Sequence, residues 1–278
     1  MPFAGSVHSM VSYGRGKIAD AFKPTSIGSA KMWLDANDPG GTGTAPTNGQ
    51  AITTWVNKTT GFLNLTGSAS ISTYGGRNSM SFTNALSLTT TTSSVPMTSV
   101  SCFMVWVQST SYGNVALLNL GTNLITWQSD CIGFYSDASV TKPGGTPGYR
   151  IYSGSTTLTG TAYTTATTAD AVPFHILEIT IDASGNMTVY RNGTSFQTGT
   201  RPASWGGTLT VCGFGEDLRY NTPAGAAQAS CFVSEVLIYN VALTDTPRQK
   251  IEGYLAWKWG LQANLPSGHP YKSAAPTG

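Results

Sequence analysis

Between Val172 and Gly193 the chain alternates apolar and polar residues with a period of two, a pattern that only a β-sheet with a buried face accommodates. In Val172-Pro-Phe-His-Ile-Leu-Glu-Ile-Thr-Ile-Asp182, Leu177, Ile179 and Ile181 fall on one face. Glu178, Thr180 and Asp182 fall on the other. Asp182-Ala-Ser-Gly-Asn186 reads as a turn, and Met187-Thr-Val-Tyr-Arg191 as the returning strand, closed by Asn192-Gly193. A lone hairpin is not stable in water, so this one requires more strands to cover it.

Those strands are legible elsewhere. Short apolar or β-branched runs occur at 31–36, 52–56, 79–82, 101–108, 115–120, 131–135 and 149–152, and again at 209–213 and 232–239. Charged residues are only 10% of the 278, against roughly 25% in an ordinary globular protein. Thirty-two glycines, with Thr, Ser and Asn, fill the gap and suit tight turns. The expected fold is all-β: a two-sheet antiparallel jelly-roll sandwich with one short C-terminal helix. For that helix, Thr246 is the expected cap, Pro247 the first helical residue and Gln249 the partner in a capping box, with Gly260 as the stop. Residues 1–29 are expected to be an arm that anchors the domain, 30–243 the sandwich, and 244–278 the helix and an extended tail packed on it. The Thr89–Ser94 run is read as a loop.

The same pass excludes several functions. A net charge of +2 without a basic cluster leaves no footprint for nucleic acid. Phe103-Met-Val-Trp-Val107 is a strand's length, far short of a membrane span. The N-terminal residues show no basic region followed by an apolar core, so no secretory signal is expected. Cys102, Cys131, Cys212 and Cys231 lack metal-site spacing and read as buried thiols, with a Cys212–Cys231 bridge open if their strands are neighbours.

His175-Ile-Leu-Glu-Ile-Thr-Ile-Asp182 followed by Thr188-Val-Tyr-Arg-Asn-Gly193 resembles a hairpin of the laminin-G-like, concanavalin A-like lectin-glucanase jelly-roll family. The stretch Val233-Ser-Glu-Val-Leu-Ile-Tyr239 with Ala242-Leu243 is similar to that family's closing strand. Arg248-Gln-Lys-Ile-Glu-Gly-Tyr-Leu-Ala-Trp-Lys-Trp-Gly-Leu261, His269-Pro-Tyr271 and the opening Met32-Trp-Leu-Asp-Ala36 resemble a subgroup found in structural proteins of phages and large DNA viruses. The resemblance implies a non-enzymatic virion protein, such as a capsid decoration, fibre or spike subunit. It would sit on the virion surface after assembly inside the host cell, form a homo-oligomer, and meet other virion proteins through residues 1–29. Host-surface glycans are the further partner it implies. The alternatives are a free-standing carbohydrate-binding module and a glycoside hydrolase of the same fold.

Hydrolases need two carboxylates about 5 to 9 Å apart across a cleft. The four glutamates, Glu178, Glu216, Glu235 and Glu252, do not match the Glu-x-Asp-x-x-Glu pattern of the family's hydrolases, so no catalytic residue is expected. Glu235, placed on one face with Val233, Leu237 and Tyr239, reads as a strand carboxylate that accepts hydrogen bonds from the backbone or the helix. Glycan contacts are expected from Trp205, Arg219, Tyr220 and Asn221, where aromatic rings lie beside hydrogen-bonding side chains in loops. No cofactor is required; calcium, which family members hold at the sandwich rim, would find Asp35 and Asp38 as its ligands.

Overall fold

The computed structural model describes residues 22–82, 88–90, 95–96, 98–108, 115–121, 131–137, 148–153, 156–160, 174–200, 208–209, 211–214 and 231–278. In chain order the strands are β1 (Ala30–Asp35), β2 (Ala51–Trp55), β3 (Leu65–Tyr74), β4 (Arg77–Phe82), β5 (Leu88–Thr90), β6 (Val95–Pro96) and β7 (Val100–Gln108). There follow β8 (Val115–Gly121), β9 (Cys131–Asp137), β10 (Gly148–Ser153), β11 (Thr156–Gly160), β12 (His175–Ile181), β13 (Asn186–Arg191) and β14 (Thr194–Thr200). The set ends with β15 (Thr208–Leu209), β16 (Val211–Phe214) and β17 (Cys231–Tyr239), and helix α1 (Asp245–Trp259) comes after it. Pairing along the main sheet is β11-β10-β9-β8-β16-β5-β3-β4-β17-β7-β12-β13-β14, with β1 on β17, β2 on β3, and β15 and β6 paired separately. The fold is an all-β sandwich with a short C-terminal helix.

The expected hairpin forms as β12 and β13, with Ile179 opposite Val189 and Ile181 opposite Met187. Asn192 (φ 49°) and Gly193 (φ 80°) then turn the chain into β14. Leu177, Ile179 and Ile181 pack with Met32, Trp55, Met104, Trp106 and Val236 in the core of the sandwich. Phe103, Val105, Val107, Leu237 and Tyr239 point the opposite way, against Ile251, Leu255, Ala256 and Trp259 of α1. Strands β7 and β17 are therefore buried on both faces, which is why Phe103–Val107 is apolar without a break. Helix α1 is a third layer, not an ornament.

A β-bulge organises the middle of the sheet. β17 pairs with β4 through residues 231–233 and with β1 through 235–239, and its register against β7 slips between Val233 and Glu235. Ser234, the residue between, accepts the amide of Ala36 on its carbonyl at 2.9 Å, and its hydroxyl meets that of Ser79 at 2.8 Å. The extra residue corrects the simple period-two expectation: Val233 faces the sandwich core with Val236 and Ile238, whereas Glu235 turns toward α1 with Leu237 and Tyr239.

Other expectations shift as well. Helix α1 starts earlier than expected: Thr244 is the N-cap, no side chain caps it, and Pro247 sits inside the first turn, where its missing N–H costs no helical bond. Gly260, at φ 67°, ends the helix as expected. The tail is not extended; it turns through Gln262–Asn264 and buries Leu265 and His269. The end of the expected arm belongs to the body, because Phe22 is buried against Tyr254 and Tyr239 donates to the carbonyl of Pro24 at 3.2 Å. Thr89 and Thr90 lie in β5, as suits β-branched residues, and not in a loop. Cys212 on β16 and Cys231 on β17 are not on neighbouring strands, so the condition for their bridge is unmet; Cys102 is a free, buried thiol.

Candidate functional site

A cleft of about 330 Å³ opens where the β3–β4 turn meets the C-terminal end of α1. It is lined by Gly75 and Gly76, Arg77, Asn78, Asn37, Lys258 and Trp259. Its rim is a two-residue hairpin turn, in which Tyr74 pairs with Arg77 and both glycines take positive φ (57° and 77°). That backbone matches the twist of the flanking strands and is accessible at low cost only to glycine-like residues.

Arg77 closes one side. Its Nε donates to the carbonyl of Trp259 at 2.5 Å, and its other two nitrogens to the carbonyls of Gly75 at 3.1 Å and Gly260 at 3.3 Å. The last carbonyls of a helix have no partner within it, and the guanidinium supplies one. The same guanidinium lies over Phe174, 5.4 Å from the ring centre. Tyr74 packs edge-on to that phenylalanine and stacks on Phe232 at 4.6 Å, so its ring and the Arg77 fork stand side by side. Tyr74 keeps 38% of its surface exposed.

Lys258 forms the inner wall. Its Nζ is 2.8 Å from Asp35 Oδ2, 2.8 Å from Glu235 Oε2 and 3.1 Å from the Tyr254 hydroxyl. Glu235 is fully buried, and both of its oxygens are occupied. Oε1 accepts from Trp33 Nε1 at 2.7 Å and Tyr254 at 2.8 Å; Oε2 accepts from Trp259 Nε1 at 2.5 Å. Burial raises its pKa, the Asp35 charge adds to the rise, and Lys258 opposes both. Glu235 is thus the strand carboxylate that ties the helix down.

Asp35 and Asp38, the expected calcium ligands, already hold other donors. Asp35 accepts the amide of Asn37 on Oδ1, and the ammonium groups of Lys58 and Lys258 on Oδ2 at 3.1 and 2.8 Å. Asp38 accepts the amides of Thr42 and Gly43, and Lys58 at 2.9 Å. For Asp38 desolvation, the largest single influence, is outweighed by Lys58 and the two amides together, which hold its carboxyl below the usual range. A divalent cation would have to displace two lysines. Calcium there would compete with the two ammonium groups for the same carboxylate oxygens. Among the described residues no group of three or more metal-ligating side chains occurs.

A second buried cluster pins the other end of the helix. Arg248 binds Glu252 at 2.6 Å and Asp245 at 3.0 Å, and its guanidinium covers the Tyr190 ring at 4.1 Å. His269 meets the second oxygen of Glu252 at 2.9 Å. Glu178 lies beside them with no hydrogen-bond partner on either oxygen, 3.7 Å from Arg248. Burial first, and the Glu252 charge second, raise its pKa well above the ordinary value. Glu178, Glu235 and Glu252 are each at most 1% exposed. Carboxylates so enclosed cannot flank a sugar chain.

Of the residues expected to contact glycans, Trp205, Arg219, Tyr220 and Asn221 lie outside the described residues, as does Glu216. The cleft uses others. Arg77 and Asn78 carried no motif, and the one available signal was the Gly75-Gly76 pair between two strand-like runs.

No family model matches the chain, and no curated protein is similar to it. Solved structures are similar in fold. Trypanosoma rangeli sialidase matches with a TM-score of 0.50 and 11% identity, over 87% of this chain and 36% of that one. Domain 4 of AbnA, a GH43 extracellular arabinanase from Geobacillus stearothermophilus in complex with arabinotriose, matches with 0.47 and 15%, over 80% and 96%. The K499G mutant of the NanB sialidase from Streptococcus pneumoniae matches with 0.40 and 15%, over 60% and 27%. The chain thus spans about a third or less of these sialidases' length. The likeness to the Trypanosoma rangeli sialidase is one of β-rich fold alone. The expectation of a virion structural protein is corrected: the fold is like that of the Trypanosoma rangeli sialidase, and no family model matches to support the viral subgroup.

Proposed function

We propose that this chain is a carbohydrate-binding module, non-catalytic in itself, that holds a glycan in the cleft beside the β3–β4 turn. The observation that carries this reading is the sorting of polar groups between cleft and interior. Arg77 and two asparagines line the cleft, and the exposed ring of Tyr74 adjoins its rim at the turn, whereas the described glutamates are buried. Sugars are bound by this combination of an apolar ring face and a few fixed hydrogen-bonding groups. Hydrolysis needs the opposite arrangement, two carboxylates open to the substrate.

The test is a glycan array with the full chain, followed by titration of the best ligand against wild type and Tyr74→Ala. Loss of the ring should weaken binding about 3- to 10-fold, the equivalent of roughly 1 kcal/mol of aromatic contact. A silent array overturns the reading, and turnover of a bound glycan overturns its non-catalytic half.

A further inference from the structure

We propose that the glycan taken by this cleft is acidic, and that Arg77 reads a carboxylate on one of its sugar rings. The inference rests on the carbohydrate-binding reading and names the ligand class of the same site.

A guanidinium carries five N–H donors. In Arg77 three meet acceptors, all of them backbone carbonyls: Trp259, Gly75 and Gly260. Two remain, on the side chain that lines the cleft. Among the described residues no carboxylate comes within ion-pair distance of Arg77. Among the described residues its charge is met by backbone carbonyls, two of them at the helix C-terminus, which is equivalent to about half an electron, and by the Phe174 ring.

The nearest carboxylates do not compete for a ligand. Glu235 accepts from two tryptophans, a tyrosine and Lys258, and Asp35 from two lysines and a backbone amide. Lys258 is equally committed, to Asp35, Glu235 and the Tyr254 hydroxyl. What the cleft offers a ligand is the two remaining N–H donors of Arg77, among lining residues that include Asn37 and Asn78 but no carboxylate. A donor-rich site selects a ligand rich in acceptors, and a planar fork favours a carboxylate, which it can hold through two parallel bonds. At about 330 Å³ the cleft is at the small end of the roughly 300–1,000 Å³ range of ligand pockets, enough for a short stretch of sugar and not a long groove.

The experiment compares uronic-acid disaccharides with their neutral counterparts, and a sulfated disaccharide as a third arm, by calorimetry on the full chain. The expected result is at least tenfold tighter binding of the uronate, diminishing as salt is raised. Asn78→Asp sets a negative charge at a residue lining the cleft and leaves Arg77 itself unaltered. It should abolish the preference for uronate with the melting temperature unchanged. Arg77→Lys keeps the charge without the fork, and should lose most of the preference.

Equal affinity for neutral and uronate sugars overturns the proposal while the carbohydrate-binding reading stands. Tighter binding of the sulfated sugar overturns the carboxylate assignment. A uronate preference indifferent to Asn78→Asp moves the site away from this cleft. Absence of binding to every sugar overturns both readings together.

Discussion

Glu178 is buried with neither oxygen hydrogen-bonded, so its neutral acid form is the one the fold favours. The folded chain holds this proton more tightly than the unfolded chain does. Glu178 therefore contributes stability that is complete below the ordinary carboxylate range and lost as pH rises through its elevated folded value. Glu252 has the opposite sign. Burial raises its pKa, but the bonds from His269 and Arg248 help bring it below normal, so its contribution is present above the ordinary value and lost as pH falls through the depressed one. Glu178→Gln keeps the shape and removes the titration. In urea unfolding the variant should match wild type near pH 4 and grow more stable than it toward neutrality, by about 1.4 kcal/mol for each pH unit between the two values. Parallel curves for the two proteins would mean that Glu178 is ionised in the fold. From sequence, Glu178 was legible only as a polar-face residue of β12, since nothing in the local pattern says that a helix arriving some seventy positions later will cover it. Glu235 was legible as a structural acceptor, although its face-mates were not.

The elements divide along the same line. Period-two runs predicted β7, β12, β13 and β17 well, because each buries at least one apolar face. They missed β3, β11 and β14, whose Ser, Thr and Gly residues leave little contrast between faces, and they missed the bulge at Ser234, where counting by twos fails. The helix was foreseen and its true cap was not, since Thr244 acts without a side-chain bond. Nor was the tail's hold on the helix visible in the sequence. Gly253 faces Tyr271 so closely that an added Cβ would lie 2.5 Å from the tyrosine's Cβ and 2.7 Å from its ring. Gly253→Ala should therefore lift the tail despite alanine's better helix propensity, with a net loss of about 1–3 kcal/mol, as in other overpacked sites. Hydrogen exchange would show it as faster exchange confined to residues 262–272. Unchanged exchange there would mean the tail is held without this contact.

At the scale of the whole molecule, α1 and its tail are as much core as the sheets. Removing residues 245–278 would expose Phe103, Val105, Val107, Leu237 and Tyr239 and strip Glu235 of its Lys258, Tyr254 and Trp259 partners. Five large side chains laid open to water at about 1.5–3 kcal/mol each amount to a large share of a domain's stability. The truncated chain should yield no soluble monomer on size-exclusion chromatography; a folded one would demote the helix to an accessory. The position of β17 has a consequence of another kind. It is the latest of the described strands to be synthesised, yet β1, β4 and β7 all dock on it, and its Glu235 meets Trp33 across 202 residues of chain. The keystone of this arch arrives last. Its earlier strands leave the ribosome without their shared neighbour, so the centre of the sheet closes only after Tyr239 has been made, with the slow kinetics of a distant loop closure.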